Sequence, residues 1–181
     1  MRSKIFKKIM AVVCASAVLA TSIASPVKTD AASKNAKAKK AYVKVVKKIN
    51  RGMEEYTYYD YYYKDFNKDG VVELVACMRG GGSWRVYTYK NGKAVDTGID
   101  ETGGIGYLKG KKYIVGHARG SASNIGLNVY KITKKGKAKR VDNYEYDNNK
   151  CTHNGKKISR SKFEKFYNKI KWNLGSMHKM K

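Results

Sequence analysis

The chain has 181 residues, with 39 lysines and arginines against 14 aspartates and glutamates, for a net charge of +25 at pH 7. At this length one domain is expected. Lysine far outnumbers arginine, so the composition favours diffuse attraction to polyanions and argues against sequence-specific nucleic-acid readout, which relies on arginine's bidentate fork.

Residues 1–32 read as a signal peptide. Arg2, Lys4, Lys7 and Lys8 form a positive n-region, an uncharged small-residue run follows from Ile9 to Ala24, and cleavage is expected near Ala31 or Ala32. The apolar run is shorter than the about 20 residues a permanent span needs, so no transmembrane anchor is expected after cleavage. Val12 and Val13 stand before Cys14 where a lipobox requires small residues, which argues against lipidation. The remaining 33–181 keeps 34 basic and 13 acidic residues, about +21, so the positive field belongs to the expected secreted domain. Such a field suits wall polymers, acidic glycans or anionic lipid surfaces.

A helix is predicted over 40–52. Tyr42, Val45, Val46, Ile49 and Met53 recur at helical spacing, opposite a lysine face of Lys40, Lys44, Lys47 and Lys48. The stripe suits packing on a sheet, with membrane-surface contact as the other reading.

A β-meander is predicted over 56–158, where tyrosine, valine and glycine alternate with the turn pairs Asp69-Gly70, Asn91-Gly92, Lys109-Gly110 and Lys135-Gly136. Strands are expected near 56–64, 71–79, 84–90, 94–98, 105–109, 112–119, 125–133 and 138–147, and the connections leave no room for parallel crossovers. Two blade-like repeats are expected within it. Val75, Arg79, Gly80 and Ser83 recur as Val115, Arg119, Gly120 and Ser123 at a constant offset of 40. Tyr56, Tyr58, Tyr59, Tyr61, Tyr62 and Tyr63 crowd the first strand, so alternation puts rings on both faces, as core or as an aromatic shelf for glycans. After the Asn154-Gly155 turn, Ser161-Lys162-Phe163-Glu164 has the form of a capping box. It opens a predicted helix over 161–174 with Phe163, Phe166, Tyr167, Ile170 and Leu174 on one face. The fold class expected is α+β, an antiparallel meander between N- and C-terminal amphipathic helices.

The richest chemistry lies in Asp65-Phe66-Asn67-Lys68-Asp69-Gly70-Val71-Val72-Glu73-Leu74. Oxygen side chains at positions 1, 3, 5 and 9, with glycine at the sharp turn, can wrap one Ca²⁺. Three carboxylates this close repel one another without a counter-ion. Position 12 of the loop is Ala76, which rules out the bidentate carboxylate of an EF-hand.

This D-x-N-x-D-G-x-x-E-L loop resembles the calcium hairpins of FG-GAP and VCBS-type repeats. With the signal peptide, the run Val86 to Lys93 and the segment Asn154 to Phe163, the chain looks like small secreted proteins of Gram-positive anaerobic bacteria. The resemblance implies that Asp65, Asn67, Asp69 and Glu73 supply side-chain oxygens to Ca²⁺ and Val71 a backbone carbonyl. It carries no biochemical activity with it.

The expectation is therefore a secreted, non-enzymatic calcium-binding module that adheres to anionic cell-envelope or host polymers, with Lys109, Lys111, Lys112, Lys134, Lys135 and Lys137 as the candidate contact lysines. One alternative is a secreted enzyme using Cys151 and His153, which alternation places on the same strand face. Another is a protein-binding adhesin or inhibitor. Cys77 and Cys151, the two cysteines left after cleavage, read either as a disulfide or as small buried hydrophobes.

Overall fold

The computed structural model describes residues 26–51, 59–78, 82–121, 123–172 and 178–179. The n-region and apolar run of the expected signal peptide, Met53, Tyr56, Tyr58, Arg79, Gly80 and Leu174 lie outside them. The chain divides into residues 1–34 and a compact unit of residues 35–181. Within the first, Lys34 pairs with Asp30 at 2.8 Å one helical turn away.

Helix α1 spans Pro26–Arg51 and is longer than the predicted 40–52. Proline is tolerated at a first helical position, and the alanine and lysine that follow carry the helix forward through high intrinsic propensity. Ala38, Tyr42 and Val46 form its buried stripe.

Twelve strands follow among the described residues, all paired antiparallel. In chain order they are β1 (Tyr59–Lys64), β2 (Glu73–Met78), β3 (Trp84–Lys90), β4 (Lys93–Glu101), β5 (Gly104–Leu108), β6 (Ile114–Ser121), β7 (Asn124–Ile132), β8 (Ala138–Asp147), β9 (Lys150–His153) and β10 (Lys156–Ile158). Helix α2 (Arg160–Tyr167), β11 (Ile170–Trp172) and β12 (His178–Lys179) complete the chain. They form a five-stranded sheet, β12-β1-β2-β3-β4, and a seven-stranded sheet, β10-β9-β8-β7-β6-β5-β11. The fold is α+β.

Turn chemistry sets the register. Asn91 and Gly92 have φ of 49° and 77° between paired Lys90 and Lys93, and Asn154 and Gly155 repeat this between His153 and Lys156. Positive φ at both central residues matches the strand twist of a two-residue hairpin. Asn148-Asn149 makes a third such turn, which sequence reading passed over.

Three apolar clusters define the layers. One face of the five-stranded sheet, Leu74, Ala76 and Tyr87, meets Ala38, Tyr42 and Val46 of α1. Its other face packs Tyr62, Val75, Val86 and Ile99 against Ile105 and Ile114 of the second sheet. On the far side of that sheet, Val115, Leu127 and Cys151 meet Phe163 of α2 and Ile170. Tyr61 and Tyr63 lie against the α1 cluster and Tyr62 in the inter-sheet core, so these tyrosines line core on both faces of β1.

The C-terminal helix departs from expectation at both ends. Its cap is Ser159, whose hydroxyl accepts from the Lys162 N–H at 3.3 Å, while Glu164 pairs with Arg160 at 2.8 Å instead of closing a capping box at Ser161. The helix stops at Asn168, and Ile170–Trp172 becomes a strand pairing with β5. Pairing the exposed β5 edge outweighs one more helical turn.

Candidate metal-binding loop and lysine grooves

The acidic loop joins β1 to β2. Lys68 and Gly70 take positive φ, 56° and 83°, and fold it tightly enough for side chains to bond its own backbone. The Asp65 carboxylate accepts from the N–H of Asp69 at 3.3 Å and of Gly70 at 3.0 Å. Asn67 Oδ1 accepts from the Asp69 N–H at 2.9 Å, and Asp69 Oδ1 from the Val71 N–H at 2.9 Å.

Glu73 is the inner member, 1 % exposed. Its oxygens accept from the Phe66 N–H at 2.9 Å and the Thr88 hydroxyl at 3.1 Å. Burial, which outweighs these two bonds, pushes the carboxyl up to about 7, and the nearby Asp69 and Asp65 push in the same direction. The Asn67 amide nitrogen bridges Glu73 Oε1 at 2.8 Å and Asp69 Oδ2 at 3.1 Å, and the Lys90 ammonium lies 3.5 Å from Asp69.

The loop thus brings Asn67, Asp69 and Glu73 together, with Asp65 turned onto the backbone amides. Among the described residues no group of three or more His, Cys, Asp or Glu side chains is drawn tightly enough to hold a metal as it stands. The donor chemistry fits a hard cation, since each carboxylate oxygen has a second lone pair. Placing Ca²⁺ between Asp69 and Glu73 requires Asn67 to turn its oxygen, in place of its nitrogen, toward them.

A brace from α1 went unseen in the sequence. Asn35 Oδ1 accepts from the Val72 N–H at 2.8 Å and its amide donates to the Gly70 carbonyl at 3.0 Å, while the Tyr42 hydroxyl donates to the Val72 carbonyl at 2.9 Å. The spacing of Asn35, Ala38 and Tyr42 on one helical face was the signal available.

The six candidate lysines are spread over several places. Lys109 and Lys111 line a cleft of about 420 Å³ with Lys169 and Lys171, over Leu108 and Phe166. Lys112 and Lys134 line one of about 200 Å³ with Lys90 and Lys131, beside Asn67 and Asp69. Lys137 donates to the Asp96 carbonyl at 3.0 Å, and Lys135 is exposed. A further groove of about 370 Å³ was missed, where Lys37, Lys40 and Lys44 of α1 face Lys93 beyond the Asn91-Gly92 turn. Among the described residues no carboxylate lines it.

Cys151 and His153 share a face of β9, opposite Tyr146 and Tyr144. Their surroundings differ. Cys151 is 3 % exposed beneath Phe163, and His153 stacks on Tyr144 at 4.1 Å with its Nε2 held by Asp142. Cys77 and Cys151 are free thiols on different sheets, and burial pushes the Cys77 thiol up to about 11. No described helix is long and apolar enough to cross a membrane. No protein-family model, curated protein or solved structure matches this chain.

Proposed function

We propose that the protein is a secreted, non-enzymatic calcium-binding module whose lysine-lined grooves adhere to anionic cell-envelope or host polymers. The observation that carries the reading is the buried Glu73, 1 % exposed and gathered with Asp69 and Asp65 in a loop where its carboxylate is met by the neutral Asn67 amide and Asp69 by the partly exposed Lys90. A divalent cation offsets that repulsion, and three to four oxygen donors already crowd the loop. When bound, the ion supplies charge and rigidity. Asp65, Asn67, Asp69 and Glu73 hold it, with the Val71 carbonyl as a fifth oxygen, in the manner of FG-GAP and VCBS-type hairpins. Ca²⁺ is preferred to Mg²⁺, whose strict octahedron suits a flexible loop poorly.

Three grooves lined by lysine extend the reading to polymers: a flexible polyanion contacts several of them at once without a fixed register. The two sheets also read as two copies of one blade-like meander. Their registers support this, since Val75 faces Val86 in the first as Val115 faces Val129 in the second. The test is calorimetric titration of the purified protein with Ca²⁺ at pH 7.5. A saturable heat lost in Asp69→Ala supports the reading, and absence of heat with wild-type protein at millimolar Ca²⁺ overturns it.

A further inference from the structure

Of the three lysine grooves, one shares residues with the acidic loop. Lys90 at the end of β3, Lys112 before β6, Lys131 of β7 and Lys134 of the β7–β8 turn line the cleft of about 200 Å³ together with Asn67 and Asp69. Lys112, Lys131 and Lys134 are exposed, and among the described residues none of the three pairs with a carboxylate. Lys90 differs, with its ammonium 3.5 Å from Asp69 Oδ2. Neither of the other two grooves includes a residue of the loop.

Asp69 therefore serves two places at once. In the cation-free protein it adds a negative charge to a cleft otherwise lined by ammonium groups, and it holds Lys90. An anion entering the cleft meets that repulsion and competes with Asp69 for the lysine. When the Asp69 carboxylate is committed to a divalent cation in the loop, both obstacles are removed. Lys90 loses its partner to a stronger charge, and the wall of the cleft that was negative becomes positive.

We propose that this cleft is a calcium-dependent phosphate site, in which Lys90, Lys112, Lys131 and Lys134 hold one phosphate group and Asp69 couples their affinity for it to cation binding in the loop. The coupling rests on the calcium reading above. Phosphate is the class that fits the charge: a phosphate monoester brings about two negative charges and three acceptor oxygens to four ammonium groups, where a carboxylate brings one charge and two oxygens and a neutral sugar none. Lysine suits phosphate as a point charge that needs no fixed fork geometry. The volume is below the roughly 300–1,000 Å³ of sites for drug-sized ligands, which suits a single group rather than an enclosed chain. Linkage makes the coupling reciprocal, so phosphate must tighten calcium binding by the factor by which calcium tightens phosphate binding, and about fivefold is the lower end of ordinary coupling.

Calorimetric titration of the purified protein with Ca²⁺, without and with glycerol phosphate, tests it. The calcium dissociation constant should fall at least fivefold with glycerol phosphate present. A variant carrying Lys112→Gln, Lys131→Gln and Lys134→Gln should bind Ca²⁺ at least as tightly as wild type without phosphate, because three like charges have gone, and should lose the tightening that phosphate brings. Direct association of Ca²⁺ with phosphate in solution would be the same for both proteins, so the comparison removes it. Poly(glycerol phosphate) as a second probe separates the sources: tightening with the polymer supports a chain-borne phosphate, and tightening with the monoester alone supports a free or terminal one. Calcium heat that is unchanged by either phosphate overturns the coupling and leaves the calcium reading standing, whereas absence of calcium heat overturns both. A tightening that survives in the triple variant overturns the assignment to this cleft.

Discussion

Replacing Glu73 by glutamine should stabilise the calcium-free protein at pH 8, although it deletes a side chain with three hydrogen-bond partners. In the folded protein the carboxyl is raised from an ordinary 4.5 to about 7, chiefly by burial. Each tenfold change in proton affinity is about 1.4 kcal/mol, so holding the ionised form inside costs about 3 kcal/mol at pH 8 relative to a neutral group. Below pH 4.5 the folded and unfolded chains both carry the proton and the cost is absent. Between 4.5 and 7 the unfolded chain releases its proton first, and stability falls as pH rises; above 7 the full cost applies. Glutamine keeps an oxygen for Thr88 and Asn67 at the Oε1 position but turns its NH2 against the Phe66 N–H, a loss of about 1–3 kcal/mol, so Glu73→Gln should be more stable than wild type by up to about 2 kcal/mol in EDTA at pH 8 and less stable than it near pH 4. Calcium is expected to offset this difference. On the proposed calcium binding, a hundredfold excess over the dissociation constant should stabilise the wild type by about 2.7 kcal/mol and leave the variant unmoved. Urea denaturation across pH 4–8, with EDTA or Ca²⁺, measures both effects. A variant less stable than wild type in EDTA at pH 8, or one that keeps the wild-type calcium shift, refutes the account of Glu73 as a buried charge awaiting a cation.

Asn35→Ala removes two hydrogen bonds from α1 to the loop, so it should lower stability by about 1–2 kcal/mol and weaken Ca²⁺ binding in the same calorimetric titration. Gly116→Ala places a Cβ 2.4 Å from Glu101 Oε1, a buried carboxylate already accepting from Asn128 and Tyr130. Overpacking there should cost about 1–3 kcal/mol in chemical denaturation, and a neutral result would mean that the two sheets lie farther apart than described. On an anionic column, neutralising Lys37, Lys40 and Lys44 together should lower the salt needed for elution and reduce the slope of log affinity against log salt by about 2. Wild-type retention that does not respond to salt would remove the electrostatic basis for polymer binding.

Local chemistry was legible in the sequence because it acts over a few residues. Asn91-Gly92 and Asn154-Gly155 supply the positive φ of two-residue turns, and the strand limits at 84–90 and 138–147 agree with prediction to the residue. The acidic loop could be read the same way, since its donors lie within nine positions and its backbone turns at Gly70. Three things were decided only by tertiary packing. The α2 helix ends early because an unpaired β5 edge competes for Ile170–Trp172, and no window of sequence contains both partners. Asn35 reaches the loop from 35 residues away because Ala38 and Tyr42 seat α1 on the sheet, a docking that fixes the helix in rotation as well as in place. The meeting of Asp69 and Lys90 with Lys131 on one cleft follows from stacking two sheets, since Lys90 ends a strand of one and Lys131 lies on a strand of the other. Periodicity says which residues face inward, whereas the distance between two inward faces depends on how every side chain between them packs.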